Sequence, residues 1–151
     1  MEKKLLLIDG HSILNRAYYG LPVLSNSQGL HTNAILGFLN ILLKLMDEEQ
    51  PTHLCVAFDV HQPTFRHLQY EAYKGTRKPM PEELREQVPV MKEVLHAMNI
   101  QTIEQGGFEA DDLIGTLSRK GRDAGYRVTI VSGDRDLLQL ATDKIKIRIP
   151  K

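Results

Sequence analysis

Three apolar, strand-forming runs in this chain each end on an aspartate, and this repeated feature constrains the fold most. The runs are Leu5–Asp9, Leu54–Asp59 and Val128–Asp134. Because open α/β sheets keep their sites outside the carboxyl ends of parallel strands, we expect the three acids in one crevice. A fourth acidic cluster, Glu109–Asp112, opens a predicted helix between the second and third runs. These carboxylates would repel one another unless cations bound there, so the sequence predicts a hard-metal site that acts on phosphate esters.

The bulk composition indicates a single globular domain. The chain has 151 residues, of which 42% are hydrophobic and 25% charged, and this suits one domain with a real core. The net charge is zero, which argues against a histone-like basic coat but leaves local patches open for nucleic acid. Cys55 is the only cysteine, so an internal disulfide is excluded and a buried, inert thiol is expected.

The start of the chain carries no predicted membrane or export signal. Only four apolar residues separate Lys4 from Asp9, whereas a signal peptide needs about 7–15 and a spanning helix about 20. We therefore expect a soluble cytoplasmic protein without a membrane partner.

Strands and helices alternate along the chain, which predicts an α/β fold with a mostly parallel sheet. Strands are predicted over Lys4–Asp9, His53–Asp59, Ile100–Ile103, Val128–Ser132 and, as a half-exposed edge, Lys144–Ile149. Helices are predicted over Ala34–Asp47, Pro81–Met98, Glu109–Ala124 and Arg135–Ala141, whereas a turn at Gly10–Ser12 leads into a mixed segment to Leu24.

Several details of these helices can be predicted. Thr32 or Asn33 can cap the helix that begins at Ala34, and this helix is apolar almost all round, so it should be buried. In the next helix a 3.6-residue period places Leu84, Val88, Met91, Val94, Leu95 and Met98 inward. Pro89 interrupts that helix, so a kink or break is expected there.

The acids form a donor set suited to divalent metal ions. Mg²⁺ takes a few carboxylates and keeps several waters, and two ions about 4 Å apart can activate water and stabilise a leaving oxygen. Each acidic cluster, taken alone, can be explained structurally by turn residues or helix caps. All four clusters, however, are predicted on the same side of the sheet, at the carboxyl ends of its strands. The candidate metal ligands are Asp9, Asp59, Glu109, Asp111, Asp112, Asp134 and Asp136.

A basic and aromatic segment directly follows Asp59. Within residues 60–80, cations interleave with rings, which is the combination that single-stranded nucleic acid requires. Taken alone, the segment is slightly better explained as a solvated helix, but its position directly after Asp59 favours the nucleic-acid interpretation. The residues are Phe65, Arg66, His67, Tyr70, Tyr73, Lys74, Arg77 and Lys78.

Zinc-ligand spacing, a phosphate loop and a nucleophile elbow are all absent from the sequence, and His11 is interpreted as a polar turn residue.

The motifs together closely resemble the 5′-nuclease domain found at the N-terminus of bacterial DNA polymerase I, a family related to phage 5′-nucleases and flap endonucleases. They run in family order across nearly the whole chain and are specific in combination. The matching stretches are Leu7–Ser12, Arg16–Tyr19, Phe58–Asp59, Pro63–Arg66, Tyr73–Pro81, Glu109–Thr116 and Gly133–Leu140.

The resemblance implies a PIN-like, three-layer domain with helices on both faces of the sheet, and two sites for Mg²⁺ or Mn²⁺. Asp9, Asp59, Glu109 and Asp111 match the first metal cluster, Asp112 a neighbouring acid, and Asp134 and Asp136 half of the second cluster. It also implies that Lys74 and Arg77 grip phosphates near the scissile bond as catalytic cations, with Arg66, Tyr73 and Lys78 also contacting DNA.

The resemblance further implies a monomeric, nucleoid-associated exonuclease and flap endonuclease that acts on DNA 5′ ends and flaps in replication and repair. A polymerase domain would lie in the same full-length chain. The family pattern continues beyond Lys151 into further metal-binding acids and a helix–hairpin–helix-like DNA-binding lobe. We therefore treat residues 1–151 as one nuclease domain, with 60–80 as a gateway, and expect the isolated chain to cleave poorly or not at all.

Three other functions stay open at this point. An aspartyl phosphatase would use Asp9 as nucleophile, although such enzymes usually have a second acid two residues on, where this chain has His11. A non-catalytic fragment that binds branched DNA is a second alternative. A small PIN ribonuclease is a third, and the long segment 60–80 argues against it.

Overall fold

The computed structural model describes residues 2–20, 29, 31–59 and 81–150. Within them, five strands form one sheet in the order β3-β2-β1-β4-β5, and every pairing is parallel. The predicted α/β fold with a parallel sheet is confirmed. The strands are β1 Lys4–Asp9, β2 His53–Ala57, β3 Gln101–Ile103, β4 Arg127–Val131 and β5 Ile145–Arg148.

Helices cover both faces of the sheet, which confirms the three-layer prediction. Successive strand residues point to opposite faces: Leu6 and Ile8 belong to one apolar core with α1 to α4, and Leu7 belongs to the other with α5 and the 3₁₀ helix. The helices are α1 Gly10–Gly20, α2 Asn33–Glu49, α3 Glu82–Arg85, α4 Gln87–Ala97, α5 Ala110–Asp123 and a 3₁₀ helix Arg135–Leu140.

The strand order creates a crevice at the carboxyl ends of β1 and β4. The chain leaves β1 toward the face covered by α1 and α2, and leaves β4 toward the opposite face, where the 3₁₀ helix packs. Neighbouring strands whose connections part in this way form the switch point at which open α/β sheets bind ligands. Asp9, the last residue of β1, lies at this point.

Helix α1 begins directly after β1, where the sequence had predicted a turn and a mixed segment. Its first residue, Gly10, approaches the next strand so closely that an added Cβ would lie 2.5 Å from the Phe58 ring and 2.9 Å from the Ala57 carbonyl oxygen. Only glycine fits this close approach. The last part of the predicted mixed segment, residues 21–24, falls outside the described residues.

The N-cap position of α2 is Thr32, one of the two predicted residues, but the predicted capping by its side chain is wrong. Thr32 makes no capping hydrogen bond through its side chain; instead the buried Gln87 Oε1 accepts hydrogen bonds from the backbone N of Ala34 at 2.9 Å and of Ile35 at 3.2 Å. A cap supplied from a distant helix satisfies the orphan N–H groups equally well. Burial of α2 was also overestimated, because Leu36 is 45% and Leu43 56% exposed.

The predicted break near Pro89 occurs slightly earlier. Helix α3 ends at Arg85 and α4 begins at Gln87, which places Pro89 in the first turn of α4, where its missing N–H has no intrahelical partner. Leu84, Met91 and Leu95 are buried as predicted, whereas Met98 is 40% exposed because α4 ends before it.

Other predictions from the pattern are confirmed. Strand β5 is an edge of the sheet, α5 ends at Asp123 close to its predicted end at Ala124, and Cys55 is buried with its pKa raised by burial to about 11. No helix in the described ranges has both the length and the apolar character needed to cross a bilayer.

Candidate active site

Asp9 is the buried centre of the crevice, with 5% of its surface exposed. Its Oδ2 accepts a hydrogen bond from Ser132 Oγ at 2.9 Å, and its Oδ1 accepts a longer one from the Ser12 backbone N at 3.4 Å. The pKa of Asp9 is raised to about 6: burial is the largest cause, the two hydrogen bonds lower the pKa in part, and the charges of Asp59 and Asp134 raise it. Asp9 therefore lies beside two other predicted acids.

Asp59 follows β2 and is held from two sides. Its Oδ1 accepts a hydrogen bond from the backbone N of Ala110, the first residue of α5, at 2.6 Å. Its backbone N donates to His11 Nδ1 at 3.1 Å, and its Oδ2 lies 3.7 Å from the same nitrogen. The free N–H groups at a helix N-terminus stabilise a carboxylate, so α5 orients Asp59 toward the crevice.

Glu109 and Asp112 shape the N-terminus of α5. Glu109 is the N-cap residue and is 3% exposed, and its backbone N donates a hydrogen bond to Asp112 Oδ2 at 3.0 Å. One oxygen of Asp112 thus has a capping role of the kind that the first turn of a helix favours. A metal role for either residue stays a prediction.

Asp111 connects the acids electrostatically. The pKa of Asp111 is raised to about 7, first by burial and then by the charges of four other acids, so these acids lie close enough to interact. The structure therefore brings these predicted ligands together: Asp9, Asp59, Glu109, Asp111 and Asp134.

The turn after β4 supplies Asp134 and Asp136. Asp134 caps the 3₁₀ helix as predicted, because its Oδ1 accepts a hydrogen bond from the Asp136 backbone N at 2.9 Å. Asp136 is exposed and lines a cavity of about 590 Å³, which Asp111 and Arg119 also line. Asp136 therefore shares a cavity with Asp111, Asp112 and Glu109 at the N-terminus of α5.

The chain's own cations do little to neutralise the centre of this crevice. Among the residues that the structure describes, no lysine or arginine forms an ion pair with Asp9 or Asp111. Nor does any group of three acids, histidines or cysteines in those ranges already have the spacing of a metal's ligand set. The acids are close enough to repel one another, and an ion would draw them nearer.

The predicted DNA contacts lie outside the described residues. This applies to Arg66, Tyr73, Lys74, Arg77 and Lys78, whose roles stay predictions.

Sequence reasoning missed three residues that orient the acids. Ser12 and Ser132 contact Asp9, and His11 contacts Asp59. A hydroxyl group near a strand end is common, so Ser132 becomes informative only once the register of β1 and β4 is known. His11 had a local signal, since it lies two residues after a strand-ending aspartate, but its contact is with the acid of the next strand.

The fold and the crevice together define a class of protein: an α/β domain with carboxylates gathered at the switch point of a parallel sheet. The chain belongs to the family described as 5′-3′ exonuclease, N-terminal resolvase-like domain, which it matches over residues 4–150.

Curated relatives agree with this family. The chain is 49% identical to DNA polymerase I of Bacillus subtilis (strain 168) over 150 residues, which is 99% of this chain and 17% of that protein. It is 45% identical to DNA polymerase I of Mycobacterium bovis over 149 residues, 97% of this chain and 16% of the relative. The chain thus spans about a sixth of the length of these relatives.

Solved structures share the fold. One is bacteriophage T5 5′-exonuclease with bound divalent metal ions (zinc), at 23% identity and a TM-score of 0.74, covering 97% of this chain and 55% of that one. Another is a T5 D15 flap endonuclease variant in a pseudo-enzyme-product complex with DNA and metal ions, at 22% identity and a TM-score of 0.72, with the same coverage.

Proposed function

We propose that this chain is the metal-binding domain of a nuclease that hydrolyses DNA phosphodiesters at 5′ ends and 5′ flaps with Mg²⁺ or Mn²⁺. The gathering of five mutually repelling carboxylates at the switch point carries this proposal. Family membership supports the 5′-3′ polarity. The proposed domain comprises the whole of residues 1–151, with 60–80 as its DNA gateway.

The residues present fit hard divalent cations. Magnesium and manganese prefer oxygen ligands, and carboxylates that raise one another's pKa gain most from a neutralising ion. Bound ions would supply activated water and charge stabilisation at the scissile phosphate. We assign Asp9, Asp59, Glu109 and Asp111 to one ion, and Asp134 and Asp136 to a second, with Asp112 as a neighbouring acid.

Other residues would position the DNA and the acids. The first turn of α5 orients Asp59 through the Ala110 N–H. Burial at the carboxyl end of the central strand β1 keeps bulk water from Asp9. We assign Lys74 and Arg77 to the phosphate beside the scissile bond, where two cations offset the charge that develops during hydrolysis. Arg66, Tyr73 and Lys78 would bind the rest of the strand by charge and stacking.

The aspartyl phosphatase alternative has less support from the geometry. A carboxylate nucleophile must reach the phosphorus atom, but Asp9 is 5% exposed and both of its oxygens accept hydrogen bonds. The side chain at the position of the usual second acid, His11, is directed to Asp59. Asp9 is thus better placed to bind an ion than to attack.

The relatives suggest the setting of this activity. Because the matching proteins are bacterial DNA polymerases I, we propose a role in replication and repair at the nucleoid, with a polymerase domain as covalent partner in the full-length protein. The T5 flap endonuclease complex with DNA and metal ions is a precedent for the proposed substrate on this fold.

The test is cleavage of a DNA duplex that carries a labelled 5′ flap, with Mn²⁺ in excess. We expect slow release of the flap by this chain, none in EDTA, and a loss of about 100-fold or more in Asp111→Asn, a change at a proposed ligand. Cleavage that Asp111→Asn leaves unchanged would reject the metal assignment. If the chain cuts nothing yet binds the flap in EDTA, the DNA-binding alternative is favoured.

A further inference from the structure

Two serine hydroxyls join the end of β1 to the turn after β4. Ser132 Oγ donates a hydrogen bond to Asp9 Oδ2 at 2.9 Å and accepts one from the Asp134 backbone N at 3.0 Å. Ser12 Oγ accepts a hydrogen bond from the Gly133 backbone N at 2.7 Å. Both bridges connect segments that lie more than a hundred residues apart in sequence. One serine follows β1 and the other follows β4, so each side of the crevice contributes one hydroxyl group.

The strand register explains why Ser132 meets Asp9. Ile8 of β1 pairs with Val131 of β4, so the next residues, Asp9 and Ser132, lie at the same level on adjacent strands. Side chains alternate along a strand, and Ile130, two residues before Ser132, faces the core that α5 covers. Leu7, two residues before Asp9, belongs to the same core, so the hydroxyl and the carboxylate share one face.

The hydrogen bonding of Ser132 fixes the direction of its single proton. A hydroxyl has one donor and two acceptor lone pairs. The Asp134 N–H donates its proton to the Ser132 oxygen. The proton of the Ser132 hydroxyl is therefore available for the hydrogen bond to Asp9. Ser132 is 0% exposed, so water does not compete for this arrangement. Gly133 completes it, since an added Cβ would lie 3.1 Å from Ser12 Oγ.

We propose that Ser12 and Ser132 form a clasp that sets the distance between the Asp9 carboxylate and the Asp134 turn, with Ser132 as a positioning residue for divalent-cation binding. The clasp holds acids of the two proposed ion sites in one geometry before any ion arrives. Outer partners that orient carboxylate ligands typically affect metal affinity by about 10–100-fold. The effect on cation binding rests on the proposed function, whereas the clasp itself does not.

The clasp is tested first without metal, by amide hydrogen exchange of this chain in EDTA. Ser132→Ala should speed exchange at the Asp134 N–H, and Ser12→Ala at the Gly133 N–H, each by roughly tenfold, the change expected when one hydrogen bond is lost. Ser132→Thr retains the hydroxyl and should restore protection at Asp134. Unchanged exchange in both alanine variants would overturn the clasp.

The positioning role is tested by titrating Mn²⁺ and following the free-ion signal by electron paramagnetic resonance. We expect Ser132→Ala to weaken Mn²⁺ binding by about tenfold or more, and Ser132→Thr to remain within about threefold of the unsubstituted chain. Ser118→Ala is the matched control: Ser118 is equally buried, but it bonds the Gly115 carbonyl in its own helix, so its Mn²⁺ affinity should not change.

The outcomes separate the two proposals. Equal Mn²⁺ affinity in Ser132→Ala and the unsubstituted chain would overturn the positioning role and leave the nuclease proposal standing. Absence of Mn²⁺ binding by the unsubstituted chain would overturn the proposed function and the cation role of Ser132 together. The exchange experiment would still report independently on the clasp.

Discussion

Two acidic clusters in this domain are neutralised in opposite ways. At the end of α2, Glu49 contacts two cations of the edge strand β5, Lys146 at 3.1 Å and Arg148 at 3.0 Å, and Arg148 also pairs with Glu48. In the crevice, Asp9 and Asp111 have other carboxylates as their charged neighbours. The first cluster is thus neutralised by the fold itself, whereas no cation of the described residues neutralises Asp9 or Asp111 in the second.

The two clusters have opposite pKa shifts. Burial, the largest single influence, raises the pKa of Glu49, but the hydrogen bonds from Lys146 and Arg148 and their charges outweigh it, so the pKa is lowered overall. Burial and like charges act together on Asp111 and raise its pKa to about 7. Acids that only stabilise the fold would resemble the first cluster; the raised pKa of Asp111 in the second is of the kind that clusters at functional sites.

The largest predicted effect is a gain of stability on removing a crevice charge. Without metal, at about pH 8, Asp111→Asn should raise the free energy of unfolding by about 2 kcal/mol, after allowance for solvent screening at a partly exposed carboxylate. Urea unfolding in EDTA measures it. The matched change in the other cluster, Glu49→Gln, should lower stability. Destabilisation by both substitutions would remove the contrast between the clusters.

The pH dependence of that gain follows from the sign of the shift. The pKa of Asp111 is higher in the folded than in the unfolded chain, so between about pH 4 and pH 7 the folded state binds more protons and loses stability as pH rises. The gain from Asp111→Asn should therefore be near zero at about pH 4 and complete above about pH 7.

Glu49→Gln should show the reverse profile. Its pKa is lowered by folding, so its contribution is present at neutral pH and is lost as pH falls below its usual value. Denaturant titrations of the three chains from about pH 8 down to about pH 3 test both profiles. Differences that stay flat with pH would show that the substitutions act through packing instead of charge.

A smaller effect is expected from removing Arg148, the cation that pairs with both Glu48 and Glu49 at the end of α2. Arg148→Met retains much of the apolar length but leaves Glu49 with one cation, so we expect a loss of about 1 kcal/mol in unfolding free energy. Arg122→Met is the control, because in the described part of the chain Arg122 forms its ion pair with its sequence neighbour Asp123 at the surface. An equal loss in both variants would argue against a specific role for the Arg148 pairs.

The smallest predicted effect is that of salt. Raising NaCl from about 0.05 M to about 0.5 M screens exposed charges strongly and buried ones less. In EDTA, the advantage of Asp111→Asn should shrink by a few tenths of a kcal/mol, since the repulsion that it relieves is partly screened. An advantage that grows with salt would contradict a repulsive origin.

Much of this fold and site followed from local pattern. The apolar runs before Asp9, Asp59 and Asp134 predict their strands directly, although β2 ends at Ala57, two residues before the predicted end at Asp59. The rule that parallel strands present sites at their carboxyl ends then places the acids together. Glu109 and Asp134 were recognisable as helix-start residues because capping depends on the next few residues.

The missed features depend on long-range contacts. Gln87 caps α2 across 53 residues of sequence, and Ser132 reaches Asp9 across 123 residues. Neither pairing leaves a periodic or local signal, because strand register and helix packing decide it. The exposure of Leu43 on α2 has the same origin. The sequence of α2 is apolar on all sides of the helix, and only the packing of the other elements determines which side is buried.

The most direct test of the account is Mn²⁺ binding by this chain, by Asp111→Asn and by Glu49→Gln under identical conditions, followed by the paramagnetic resonance of free Mn²⁺. If the crevice gathers its acids for a divalent ion, the first and third chains bind Mn²⁺ alike, and Asp111→Asn binds roughly 100-fold more weakly. Equal binding by the unsubstituted chain and Asp111→Asn, or loss of binding in Glu49→Gln, would contradict the account.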